Sequence, residues 1–183
     1  MGDPKKPKKK YETPRFPWRS DILQNELVLL GQYGLRNKRE LWRAKTMLSK
    51  FRGIARSILS MPVEKRAKLE ETLLGKLKRL GILPENAVLD DVLDMTVEDI
   101  LERRLQTIVF RKGLAKTPHQ ARQLITHGHI AVNNRVVFSP SYLVTREEEE
   151  SVTYAPTSPL NRPDHPLRLI IEAAPKAGGG ERR

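Results

Sequence analysis

The chain has 183 residues, a formal charge of +12 and a pI near 10.1. That surplus points to nucleic acid first and to a membrane surface second. The absence of cysteine excludes disulfides and thiolate zinc sites. An aromatic content of 5% argues against a base-stacking single-strand binder, and no apolar run approaches the ~20 residues of a membrane helix.

Residues 1–19 hold seven Lys/Arg, two acids and four prolines. Such a composition cannot bury a core, so a disordered basic arm is expected. Phe16 and Trp18 favour an arm that orders on an RNA groove over a solubilising tail. Ser20 or Asp21 then caps a helix through Tyr33, with Gly34 as its stop. Asn37 caps the next helix, with Glu40 three residues on. Leu41, Ala44, Leu48, Phe51, Ala55 and Ile58 recur at helical spacing and predict a core stripe, and Trp42 is read as packing beside it. The basic residues here are Arg36, Lys38, Arg39, Arg43, Lys45, Lys50, Arg52 and Arg56. Against them stands the single acid Glu40, a net of +7.

Met61-Pro62 opens a third helix whose outer face mixes signs and reads as solvated. Residues 85–102 then hold seven acids and no Lys/Arg. No His or Gly-rich frame accompanies them. Helix N-terminal charge, or a surface for a basic neighbour, is therefore expected rather than a metal or catalytic cluster. Thr96 with Asp99 makes a capping box, and the pattern predicts one helix from Val97 through Phe110.

Residues 103–137 read RRLQTIVFRKGLAKTPHQARQLITHGHIAVNNRVV, with seven Lys/Arg, three histidines and no acid. Gly113 ends the preceding helix. Thr117 is the next N-cap, Pro118 occupies the first helical position and Gln120 completes a capping box. Ala121, Leu124 and Ile125 share one face, with Arg122 on another, and Gly128 closes the helix. Ile130, Val132 and Val136 about Asn133-Asn134 predict a β-hairpin, because Asn tolerates positive φ. A short basic helix beside a hairpin is a rigid platform whose arginines can fork onto phosphates. Arg104 and Arg122 lead the candidates. Removal of the Arg122 side chain is expected to weaken RNA binding and barely move stability. Beyond the hairpin come a strand at 142–145, an acidic tip at 147–150, a returning strand with Val152 and Tyr154, a last strand at 167–171 and a disordered tail at 173–183. There is no Walker loop, dinucleotide fingerprint, HExxH or nucleophile elbow.

Arg104-Leu105 followed by AKTPHQARQLITHGHIAVNNRVV resembles the RNA-binding domain named after small-subunit ribosomal protein four, the S-four domain. The matching positions are Arg104, Leu105, Ala121, Arg122, Leu124, Ile125, His127, Gly128, Ile130, Val132 and Asn133. Asn134 departs from the usual Gly. The flanking sequence resembles the archaeal and eukaryotic type of the family. The resemblance implies an α+β fold. A helical subdomain (20–102) would precede a small domain of two or three helices on an antiparallel sheet (103–172).

It also implies a non-enzymatic, cofactor-free and metal-free constituent of the small subunit. Such a protein binds 16S rRNA at the 5′ domain, nucleates assembly and contributes to accuracy. Implied partners are protein S-five and, at the entry channel, messenger RNA. An assembly factor of the same family on pre-rRNA is the alternative. The candidate RNA-binding residues are the eight cations of 36–56 together with Arg103, Arg104, Arg111, Lys112, Lys116, Thr117, His119, Gln120, Arg122, Gln123, His127, His129, Asn133, Asn134 and Arg135. The acidic stretch 85–102 is expected to lie away from RNA, leaving two positive faces to clamp one RNA.

Overall fold

The computed structural model describes residues 8–172. The first seven residues of the arm and the expected tail lie outside that span. Three helices come first: α1 (Ser20–Gln32), α2 (Lys38–Leu59) and α3 (Val63–Arg79). Gly34 and Gly81, both at positive φ, follow α1 and α3, where a residue with a Cβ would be strained. The expected stripe on α2 is buried from Leu41 to Ile58. It packs with Leu73 and Leu77 of α3 and with Leu89, Val92, Ile100 and Leu101 further on, forming a first core.

The acidic stretch folds as two short helices, α4 (Leu89–Asp94) and α5 (Val97–Glu102). Asp91 accepts the Val88 N–H at 2.8 Å and Asp99 the Thr96 N–H at 2.8 Å. These carboxylates thus sit on exposed backbone donors at helix N-termini, where negative charge is favoured.

The helix expected from Val97 through Phe110 is broken. α5 stops at Glu102, Arg104 is extended (φ −73°, ψ 140°) and α6 begins at Leu105 (Leu105–Arg111). Arg104 bridges Leu143, and the Leu105 N–H donates to the Tyr142 carbonyl at 2.8 Å. The segment expected as a strand at 142–145 therefore serves this break. The apolar period runs straight through it, so tertiary pairing overrides periodicity here.

α7 (Pro118–Thr126) packs on α6, and β1 (Ile130–Val132) and β2 (Arg135–Val136) form the expected hairpin. Asn133 and Asn134 have φ of 49° and 60°, the pair of positive values a two-residue turn of this hand requires. The acidic tip is a helical turn, α8 (Arg146–Glu150), capped by Thr145. β3 (Thr153–Tyr154) adds antiparallel to β1, giving the order β2-β1-β3. Leu105, Val109, Ala121, Ile125, Ile130 and Val152 fill a second core. The strand expected at 167–171 is a helix, α9 (Pro166–Glu172), entered through a 3-10 turn at Pro159–Asn161. His165 Nδ1 accepts the Leu167 N–H at 3.2 Å, a start signal that the apolar run alone conceals. The arm from residue 8 is not wholly free. Tyr11 stacks on Trp42, and the Glu12 N–H donates to Thr46 Oγ1 at 2.9 Å.

Candidate nucleic-acid interface

Asn37 caps α2 by accepting the Glu40 N–H. The Glu40 carboxylate does not return to the cap. It crosses to the second core, where Arg122 forks onto it, Nη2 to Oε1 at 2.7 Å and Nη1 to Oε2 at 3.1 Å. Arg104 Nη2 reaches Oε2 at 2.8 Å. Burial by itself raises the Glu40 carboxyl. The Arg122 hydrogen bonds and the charges of both arginines outweigh it and hold the group below the usual carboxylate range. Burial lowers the Arg104 guanidinium, and Glu40 opposes that shift.

Gln106 completes the seam. Its Nε2 donates to the carbonyls of Gly34 (2.8 Å), Pro118 (3.0 Å) and Tyr33 (3.3 Å). A Cβ at Gly34 would stand 2.7 Å from the Pro118 Cβ, so only glycine permits this approach. Arg104 and Arg122, the leading candidates for phosphate contact, already have a partner within the chain. Both are turned inward onto a carboxylate that offers the same planar two-oxygen geometry.

Other cations, all but Arg146 among the expected residues, are also engaged. Arg103 donates to Glu149 at 2.6 Å and to the Val144 carbonyl at 3.2 Å. Lys112 closes the end of α8 on the Glu149, Glu150 and Val152 carbonyls. Arg111 pairs with Glu102 at 2.7 Å, Arg146 with Glu85 at 2.8 Å, and Arg52 donates to the Met95 carbonyl. Lys38 and Lys45 meet at Glu26, a residue only 1% exposed that also accepts Trp42 Nε1 at 2.9 Å. Trp42, expected to pack against the core, is thus a half-buried hydrogen-bond donor. Burial raises the Glu26 carboxyl, but Lys45, Trp42 and Lys38 together bring it below its ordinary range.

A different set remains outside these pairings. Among the described residues, Arg36, Arg39, Arg43, Lys50 and Arg56 are exposed and form no ion pair. Arg39, Arg43 and Lys50 follow one stripe of α2, while Lys38, Lys45 and Arg52 follow another at seven-residue spacing. Arg43 lies close enough to Arg104 for its charge to act there, so the free stripe borders the Glu40 seam. On the far side, Thr117 and Gln120 serve the α7 N-terminus: Thr117 Oγ1 accepts the Gln120 N–H, and Gln120 Oε1 accepts the Lys116 N–H. The Lys116, His119, Gln123 and His127 side chains are exposed, as are Asn133, Asn134 and Arg135 on the hairpin turn. His129 is half-buried against Ser158.

Sequence reading missed Glu26, Gln106 and the inward role of Glu40. One signal was available for the last, because Glu40 is the only acid among the eight cations of 36–56.

The S4 domain model matches residues 103–150. A protein of Hyperthermus butylicus, named small ribosomal subunit protein uS4, is 60% identical over 159 residues, covering 87% of this chain and 90% of the relative. The protein of the same name from Ignicoccus hospitalis is 58% identical over 159 residues, 87% of this chain and 96% of the relative. The chain belongs to the uS4 family. Within this uS4-family chain the domain match ends with α8. β3 and the 3-10 turn, which lend Tyr154 and Leu160 to the second core, lie beyond it. Among the described residues no group of three or more His, Cys, Asp or Glu could hold a metal, and no helix is long and apolar enough to cross a membrane.

Proposed function

We propose that this chain is a structural, non-enzymatic constituent of the small ribosomal subunit that grips folded 16S rRNA across the seam between its two cores. The observation that carries the reading is the exposed, unneutralised stripe Arg39, Arg43 and Lys50 beside the Glu40 seam, in a chain of the uS4 family. Lys116, His119 and Arg135 extend positive and polar surface onto the S4 domain. No base-reading pattern appears on the stripe, so recognition there is of backbone and shape. The acidic residues support this assignment by their engagements: Asp91 and Asp99 cap helices, and Glu102 and Glu85 face arginines.

In the subunit the chain binds the 5′ domain, nucleates its assembly and contributes to accuracy through protein S-five and the messenger path. The family resemblance supports those finer roles. The test is a hydroxyl-radical footprint of the chain on 16S rRNA, with the Arg39→Ala/Arg43→Ala/Lys50→Ala variant compared over a salt series. Every phosphate that a variant no longer neutralises lowers the log–log salt slope by about 0.9 on duplex-like RNA. An unchanged slope would remove the stripe from the interface.

A further inference from the structure

We propose that a cavity between α7 and the 3-10 turn receives one unpaired uracil of the bound RNA; this rests on the rRNA-binding reading above. The cavity measures about 460 Å³, within the range of small-molecule sites. Gln120, Gln123 and Leu124 form one wall, His127 and His129 follow where α7 ends, and Leu160, His165 and Leu167 stand opposite. His165 is 36 residues beyond His129 and was outside every sequence-based candidate set.

The lining selects the occupant by exclusion. No Lys or Arg contributes to it, so a phosphate finds no fixed counter-charge. Its imidazoles are not placed as a metal site, since among the described residues no group of three or more His, Cys, Asp or Glu could hold a metal ion. Three imidazoles, two carboxamides and a leucine floor remain. That combination suits a flat, neutral group with a polar edge, which on an RNA chain is a base. Unpaired bases are held on proteins by stacking, including on His, and by hydrogen bonds to their edges.

The hydrogen-bond directions narrow the choice of base. His165 Nδ1 accepts the Leu167 N–H, so the proton of the neutral ring sits on Nε2. His129 Nδ1 lies 2.9 Å from Ser158 Oγ, which already accepts the Leu160 N–H. His129 Nδ1 therefore has a hydroxyl partner in either tautomer, and the direction of that bond fixes neither a donor nor an acceptor at its Nε2. Gln120 Oε1 is occupied by the Lys116 N–H, leaving its NH2 group. The His165 Nε2–H and the Gln120 NH2 are thus two donors carried by residues that line one cavity, and the Gln123 carboxamide supplies both a donor and an acceptor. A donor-rich rim fits a base edge with two carbonyl oxygens and one N–H, which is uracil. His127 and His129 are stacked, with centroids 6.5 Å apart and planes at 28°, so a base can extend an existing stack.

The experiment footprints the full chain and its Gln123→Ala/His127→Ala variant on 16S rRNA. Hydroxyl radicals report the backbone and carbodiimide reports uracil N3. Both substituted side chains are exposed on or just after α7, so the fold is retained. The expected result is one uracil protected by the wild type and reactive with the variant, the backbone footprint keeping its extent and affinity falling about tenfold, the scale of one stacked base. Leu167→Trp, at a position 47% exposed, is a second variant that fills the mouth of the cavity and should give the same uracil signal. Identical uracil reactivity for all three proteins over an intact backbone footprint would overturn the base pocket and leave the rRNA-binding reading standing. A wild type that leaves no backbone footprint would take both down.

Discussion

The basic stretches 36–56 and 103–137 each carry a net of +7, yet the fold uses them in opposite ways. In the second, five of the seven cations (Arg103, Arg104, Arg111, Lys112 and Arg122) hold carboxylates or carbonyls of the same chain. In the first, three of the eight (Lys38, Lys45 and Arg52) are so held, and the exposed remainder lies mainly on the long helix α2. The arginines that make the S4 motif recognisable are mainly architectural. The free positive surface lies chiefly in the helical region, outside the domain match. Charge counted along a chain measures supply; only the fold shows which charges already have partners.

Breaking Glu40 should sharpen this contrast most. Glu40→Ala leaves Arg104 and Arg122 without their counter-charge in a largely buried seam, and stability should fall by about 3 kcal/mol, read as a drop in the urea midpoint. Arg122→Ala should lower stability by about 2 kcal/mol, the scale of a hydrogen bond to a charged group. This reverses the sequence-based expectation of an unmoved midpoint. The same carboxylate gives the acid limb of stability a definite sign. Its folded pKa lies below the ordinary 4.5, so its contribution is complete above that pH and drains away as pH falls through the lowered value. Glu40→Gln should therefore flatten the decline of stability on the acid side, followed by circular dichroism during acid titration.

By contrast, Arg39→Ala, Arg43→Ala and Lys50→Ala should each change stability by no more than about 0.5 kcal/mol while weakening rRNA binding. The smallest effect belongs to Asn134→Gly. At φ 60° glycine is at least as comfortable as asparagine, and the thermal midpoint should move by an amount equivalent to less than about 0.5 kcal/mol.

Local chemistry made much of the fold legible. Asn37, Thr96 with Asp99, and Thr117 with Pro118 mark helix starts, Gly34 and Gly113 mark stops, and Asn133-Asn134 marks the hairpin. Each acts within about four residues, which is the range sequence reading resolves. The features that escaped are set by distant partners. Ile100, Leu101, Leu105 and Ile108 are all buried, so nothing in the pattern announces that Arg103 and Arg104 interrupt a helix to pair with residues 142–144. The segment 167–171 is a short apolar run that periodicity cannot assign, and the His165 cap decides it. The site was legible as a supply of cations. Which of them are free was not, because Glu26 and Glu40 choose their partners across the fold.

The Glu40 seam also has a history in time. During synthesis Glu40 emerges 64 residues before Arg104 and 82 before Arg122. α2 is complete while its only acid still has no partner from the later domain. Pairings this far apart in sequence close late, because the intervening chain must first be ordered. Until then Glu40 stands unpaired among the eight cations of 36–56 and offsets part of their charge. Closure of the seam hands that carboxylate to Arg104 and Arg122, so the stripe on α2 shows its full charge only once the chain has been made through α7.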